Sequence, residues 1–225
     1  MKLRTVTSAA AILAVTLALV SLPVERASAS GLGLKVGLAF AKQNYSYADP
    51  NFQFDNSYRK GLSAGLFIEQ PIVPFLSVRA EGMFVTKGFK VNVLQTDLDG
   101  TPVPRTTDLE YGIDYLSMNL LGKGSFPTGT YILAGPRLDL KLNTKDGGKQ
   151  VIPSDLEDKF SSTIFGWTLG LGQSFGLSPS MGLFVEGQLF LDQEKLYDKS
   201  NNGITTGTLE AVKNKSFALY AGVRF

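Results

Sequence analysis

Ten ionisable residues fall on alternate positions of otherwise apolar or glycine-rich segments: Lys35, Glu69, Arg79, Glu81, Lys123, Arg137, Asp139, Glu186, Asp192 and Arg224. Two pairs, Glu69 with Glu81 and Glu186 with Asp192, are raw material for a paired-carboxylate acid–base site. Nothing in their spacing points to a substrate. The 225-residue chain contains no histidine and no cysteine. That removes Ser–His and Asp–His hydrolysis, thiol nucleophiles and disulfides. A lipid acylase, deacylase or protease with a histidine base is therefore excluded. Asp97-Leu98-Asp99-Gly100 starts like a calcium loop but lacks the later ligands, so it reads as an Asp-Gly turn. No metal and no cofactor is expected. Ten charges of both signs on one face instead point to ion pairs, because buried charges need partners.

The elements that carry these charges read as strands. Alternation of apolar and small or polar residues marks eight segments, about 31–45, 61–70, 75–90, 111–126, 130–142, 161–175, 182–195 and 214–225. No segment after residue 29 carries a convincing helical period. Connection lengths alternate too. Gln70–Pro74, Pro127–Gly129 and Leu177–Ser180 are short turns, and about 46–60, 91–110, 143–160 and 196–213 are long polar segments. An even number of antiparallel strands, with short turns at one end and long loops at the other, predicts an all-β fold: an eight-stranded up-and-down transmembrane β-barrel. Pro136 lies mid-strand, where it cannot donate a ladder hydrogen bond, so a bulge or a lost bond is expected there.

Two faces follow from the alternation. One carries Leu32, Leu34, Val36, Leu38, Leu62, Leu66, Ile68, Leu183, Val185, Leu189 and Leu191. The other carries the ten charges among glycines such as Gly33, Gly37, Gly65, Gly135, Gly170 and Gly222. Eight strands leave an interior barely wide enough for side chains. The glycine-rich face is therefore assigned to the lumen and the aliphatic face to lipid; a soluble lipocalin-like barrel would need the reverse. Aromatics on the lipid-facing parity form two predicted girdles, with Phe126 and Phe175 at one rim and Phe40, Phe84, Phe165 and Trp167 at the other. Ten residues from Phe165 to Phe175 make about 33 Å of strand, or roughly 25 Å of height when tilted, which matches the apolar band of such barrels.

Both termini support this compartment. Phe217, Leu219, Ala221, Val223 and Phe225 alternate to the chain's end, in the manner of a C-terminal outer-membrane assembly signal. At the other end, Lys2 and Arg4 precede an apolar run over 9–20, and Ala27-Ser28-Ala29 offers small residues for cleavage. Residues 1–29 thus read as a cleaved secretory signal, and 30–225 as the barrel domain. The apolar run is shorter than the roughly 20 residues of a spanning helix. Removing Lys2, Arg4, Arg26 and Glu25 leaves 19 basic and 19 acidic residues. No nucleic-acid partner follows from that balance.

Several stretches resemble the outer-membrane β-barrel domain of PorT-like proteins. They are Gly61-Leu62-Ser63-Ala64-Gly65-Leu66-Phe67-Ile68-Glu69, Leu76-Ser77-Val78-Arg79-Ala80-Glu81 with Lys87-Gly88, Tyr115-Leu116-Ser117-Met118-Asn119-Leu120-Leu121-Gly122-Lys123, and Tyr131-Ile132-Leu133-Ala134-Gly135-Pro136. The last resembles that family's Tyr-Leu-Leu-Ala-Gly-Pro strand, which makes Pro136 a family feature. Ser117 and Asn119 replace the family's usual acidic residue and proline. The resemblance implies a small barrel of the Gram-negative envelope, and in one branch a part in assembling a protein secretion system.

The expected function is a non-enzymatic outer-membrane barrel, structural, scaffolding or surface-binding. A component of a secretion or assembly system and a narrow gated channel are the alternatives. Expected partners are outer-membrane lipid, the barrel-assembly machinery during biogenesis, and a protein met through the outer loops or periplasmic turns. Tyr45, Tyr47, Phe52, Phe54 and Tyr58 make the first long loop aromatic, which favours rim packing over a binding surface.

Overall fold

Strict two-residue alternation leaves every strand with one apolar and one polar face, and closing the sheet satisfies both faces and removes its edges. The computed structural model describes residues 31–47, 57–96, 102–146, 161–178, 181–193, 197–198 and 209–225. They form β1 (Gly31–Tyr47), β2 (Ser57–Val73), β3 (Leu76–Thr96), β4 (Pro102–Ser125), β5 (Thr130–Asp146), β6 (Thr163–Ser178), β7 (Met181–Asp192), β8 (Tyr197–Asp198) and β9 (Leu209–Arg224). Strands β1 to β7 and β9 are antiparallel neighbours in chain order, and β9 returns to pair with β1. The result is a closed eight-stranded all-β barrel. The two-residue β8 only lengthens the β9 side, pairing Tyr197 with Val212.

Closure follows the terminal alternation. Gly33 pairs with Arg224, Val36 with Ala221 and Phe40 with Phe217, and the ladder continues to Tyr47 opposite Leu209. The Phe225 amide donates to the Leu32 carbonyl at 2.7 Å, so the last residue is still tied to the first strand.

Strand lengths depart from expectation at the end with the long connections. The 91–110 segment is not a loop: β3 and β4 continue through it, pairing Val91 with Leu109 and Thr96 with Pro102. Its Asn, Asp and Thr residues hide strand periodicity because neither face of a hairpin standing clear of lipid need be apolar. Strand also reaches into 46–60, 143–160 and 196–213. At the opposite end, β2 runs to Val73, which shortens the expected Gln70–Pro74 turn to Pro74 and Phe75. The turn at 127–129 is as short as expected. Gly129 holds φ +83 there, its amide bonds to the Phe126 carbonyl at 3.0 Å, and a Cβ would press on the Ser174 carbonyl. The segments 1–30, 97–101 and 147–160, with Phe52, Phe54, Asn201, Asn202 and Gly203, lie outside the described residues, as do the side chains of Tyr45 and Tyr47.

Pro136 costs a pairing without a bulge. The β4–β5 register is the same on either side, Asn119 opposite Arg137 and Gly122 opposite Ala134, and the two residue pairs between are missing. Gly135 allows the strands to close in: a Cβ there would strike the Leu120 carbonyl. On its other side Pro136 pairs with Trp167 of β6.

Candidate functional site: the barrel lumen

Leu34, Val36, Leu38, Leu62, Leu66, Val185 and Leu219 are each about half exposed, whereas Lys35, Arg79, Glu81, Lys123, Arg137, Asp139 and Glu186 are buried. The aliphatic face therefore points outward and the charged face inward. Arg224 differs from the other nine: its side chain is 51% exposed at the turn-end mouth, and it makes a long 3.8 Å contact with Glu69. Asp192 is nearly fully covered at its side chain.

Ten of the inward charges sort into two electrically balanced clusters, while buried Asp114 lies apart, bonded by the Thr86 hydroxyl. The first holds Lys35, Arg79 and Lys123 with Glu69, Glu81 and Glu186. Arg79 donates to Glu69 through Nε at 3.1 Å and Nη2 at 2.9 Å, and to Glu186 through Nη1 at 2.7 Å. Lys35 bridges Glu81 at 2.8 Å and Glu186 at 2.9 Å. Lys123 donates to both oxygens of Glu69 at 2.9 Å. Asn119 closes on Glu81 at 3.0 Å and Ser77 on Glu69 at 3.1 Å. The second cluster holds Lys87 and Arg137 with Asp139 and Asp192. Lys87 bonds Asp139, Arg137 bonds Asp192, and Ser117 donates to Asp139. Arg137 Nε lies 3.3 Å from Asp139.

The two expected carboxylate pairs do not form acid–base dyads. Glu69 and Glu81 are each wrapped by cations, and Glu186 and Asp192 belong to different clusters. A carboxylate offers about four lone-pair sites, and Glu186 fills them with Lys35, Gln188, Arg79 and Tyr131. No site remains on Glu186 for a substrate proton; Asp192, in the other cluster, keeps Oδ2 buried without a hydrogen-bond partner among the described residues. No group of three or more metal-ligating side chains occurs among the described residues.

Sequence reasoning missed the lumen's aromatic content. Phe67, Tyr115, Tyr131, Phe184, Phe190 and Tyr220 share the charged parity and are buried. The lumen is thus not lined by glycine and charge alone; the glycines are sockets for rings. A Cβ at Gly33 would meet the Phe67 ring, one at Gly172 the Tyr131 ring, and one at Gly222 the Phe184 ring. The Arg79 guanidinium lies 4.3 Å from the Phe67 ring centre, 5.4 Å from Tyr131 and 5.9 Å from Phe184, within the range of cation–π attraction. Tyr220 touches Lys35 at 4.5 Å, and Phe190 touches Arg137 at 4.7 Å and Lys87 at 5.4 Å. An apolar layer containing both rings, with Ala39, Met83, Val85 and Ala218, thereby joins the clusters. Lys87 was also missed. Its signal was present, since it continues the odd-numbered series of Arg79 and Glu81 on β3.

The aromatic girdles lie on the outer face. Phe126, Phe175 and Phe225 are about half exposed near the short turns, joined by Phe75. At the other rim Phe40 stacks on Phe217 with centroids 4.8 Å apart, Tyr58 meets Phe217 edge-on at 5.9 Å, and Phe165 meets Trp167 at 6.4 Å. Phe84 is also outward, 37% exposed.

A closed barrel with an aliphatic belt, aromatic rims and a polar packed interior is a membrane-spanning β-barrel of the outer-membrane class. The chain belongs to the outer membrane protein beta-barrel domain family, whose model matches residues 21–191; it is an outer-membrane β-barrel protein. Among solved structures it is similar to OprG from Pseudomonas aeruginosa, at 12% identity over 88% of this chain and 96% of that one, with a TM-score of 0.49. It is also similar to Ail of Yersinia pestis, solved in complex with the heparin analogue sucrose octasulfate, at 14% identity over 87% and 99%, TM-score 0.42. Outer membrane protein W of E. coli gives 13% identity over 88% and 98%, TM-score 0.41. No curated protein matches the sequence.

Proposed function

We propose that this protein is a non-enzymatic, non-conducting barrel that works as a membrane-embedded platform, meeting partners through its outer hairpins or short turns. The observation that carries this reading is the ion-pair cluster crossing the lumen around Arg79, in which Glu69, Glu81 and Glu186 are each held by cations and further donors. A cluster whose three carboxylates are each held by cations supports the barrel from within and offers neither a free carboxylate for reaction nor an open water path across that level. At the turn-end mouth, the recess lined by Phe67, Arg79, Lys123, Phe184 and Arg224 measures about 60 Å³.

Residues 1–29 act in this reading as a cleaved secretory signal. Both chain termini then face the periplasm, the long hairpins face outward, and the assembly machinery reads the strand ending at Phe225. The PorT-like resemblance adds a finer possibility for the platform, a place in a secretion assembly. Swelling of proteoliposomes in a sugar gradient tests the sealed lumen: a rate equal to protein-free vesicles is expected, and faster swelling contradicts it. Cross-linking in intact cells followed by pull-down tests the platform role. A discrete partner is expected, and an empty pull-down contradicts it.

A further inference from the structure

Four lysines break the apolar outer face on one side of the barrel. Lys42 of β1, Lys60 of β2, and Lys213 and Lys215 of β9 share the parity of Leu38, Leu62 and Leu219. The register makes them neighbours. Lys42 lies directly opposite Lys215, Lys60 lies opposite Phe40, and Lys213 follows one outward step beyond Lys215. Like charges directly opposite in a ladder repel. None of the four has an ion-pair partner among the described residues, and no described acidic side chain shares the outer face of β1, β2 or β9. The same rim on β5 and β6 presents Leu142, Phe165 and Trp167 instead.

The lysines stand at the long-hairpin edge of the aromatic girdle. Phe40 stacks on Phe217, Tyr58 packs edge-on against Phe217, and the Lys42 ammonium lies 5.4 Å from the Tyr58 ring centre. The rings mark the membrane–water boundary. Long lysine side chains there lay their stems along the apolar wall and hold their ammonium groups at headgroup height. We infer that this flank is a binding site for the phosphorylated headgroup of an anionic glycolipid in the outer leaflet. Its acyl chains would lie on the leucine wall below. The assignment rests on the outward orientation of the long hairpins. A phosphate between Lys42 and Lys215 relieves their repulsion, and Lys60 and Lys213 extend the site for a second phosphate.

The full-length protein, held in phosphatidylcholine nanodiscs with a small fraction of bis-phosphorylated lipid A, can be reisolated and its retained lipid counted by native mass spectrometry. The triple variant Lys42→Gln/Lys60→Gln/Lys215→Gln is expected to retain on the order of a hundred-fold less, as basic residues near an anionic lipid surface contribute additively. The arginine triple, Lys42→Arg/Lys60→Arg/Lys215→Arg, is expected to retain the wild-type amount. If the Gln triple fails to assemble, Lys215→Gln alone carries the test, with a loss of a few-fold. Equal retention by an assembled Gln variant, or equal wild-type retention of dephosphorylated lipid A, overturns the inference. Orientation is tested separately with Lys213→Cys, in a chain that has no other cysteine. A membrane-impermeant thiol reagent is expected to label it in intact cells. Labelling only after lysis refutes the outward orientation, and with it the outer-leaflet assignment, whatever the retention.

Discussion

Arg79 and Glu186 meet at 2.7 Å although 107 residues separate them. They lie on β3 and β7, four strands apart in a closed ring of eight, so their ion pair crosses the lumen from wall to wall. Removing one partner of such a pair leaves an uncompensated buried charge. Arg79→Ala is expected to lower unfolding stability by about 3–5 kcal/mol, read as a shift in the denaturant midpoint of the detergent-folded protein. Glu186→Gln removes the opposite charge and retains the shape. The double variant is therefore expected to lose clearly less than the sum of the singles, and simple additivity would mean that the pair is not coupled.

The socket glycines give a second expectation. Gly33→Ala forces a methyl into the Phe67 ring, and overpacking costs about 1–3 kcal/mol. Phe67→Leu in the same chain should recover part of that loss. Gly82→Ala has nothing within 4 Å of the new methyl and should be neutral. A Gly33→Ala protein with wild-type thermal migration on a denaturing gel would contradict the ring-and-socket packing.

On the outer wall, Leu219 is 57% exposed and lies opposite Leu38 between the girdles. Leu219→Arg places a charge in the hydrocarbon and is expected to cost about 2–4 kcal/mol. Arginine at Lys60, already cationic and beside Phe40, should cost nothing measurable. Equal stability of the two variants in lipid vesicles would contradict the assignment of the outer face.

Deleting Phe225 removes the Leu32-bound residue that ends the closing strand. Lower levels of heat-modifiable barrel in the outer-membrane fraction are expected. An unchanged level would contradict a role for the terminal aromatic in assembly.

The barrel was legible because its signal is local. Alternation from Leu32 to Phe40 and from Phe217 to Phe225 encodes two faces, and the two segments pair directly. The lumen was only half legible, for a reason that lies in its geometry. Parity placed Lys35 and Glu186 on one face, but parity cannot say that Phe67 enters the space left by Gly33, because that fit depends on how far one strand is staggered against its neighbour. Lys87 went unassigned although its parity was right. Arg224 carried the right parity too, yet it stands at the mouth, where burial ends. The β3–β4 hairpin beyond Val91 was read as a loop because, clear of the membrane, neither of its faces need be apolar.

The most direct measurement of a lumen closed by its own ion pairs is single-channel recording of the wild-type barrel in a planar lipid bilayer. No current steps above leak are expected across a range of applied voltages. Reproducible ion-permeable steps from heat-modifiable, fully folded protein would contradict the sealed network between Arg79, Glu69 and Glu186.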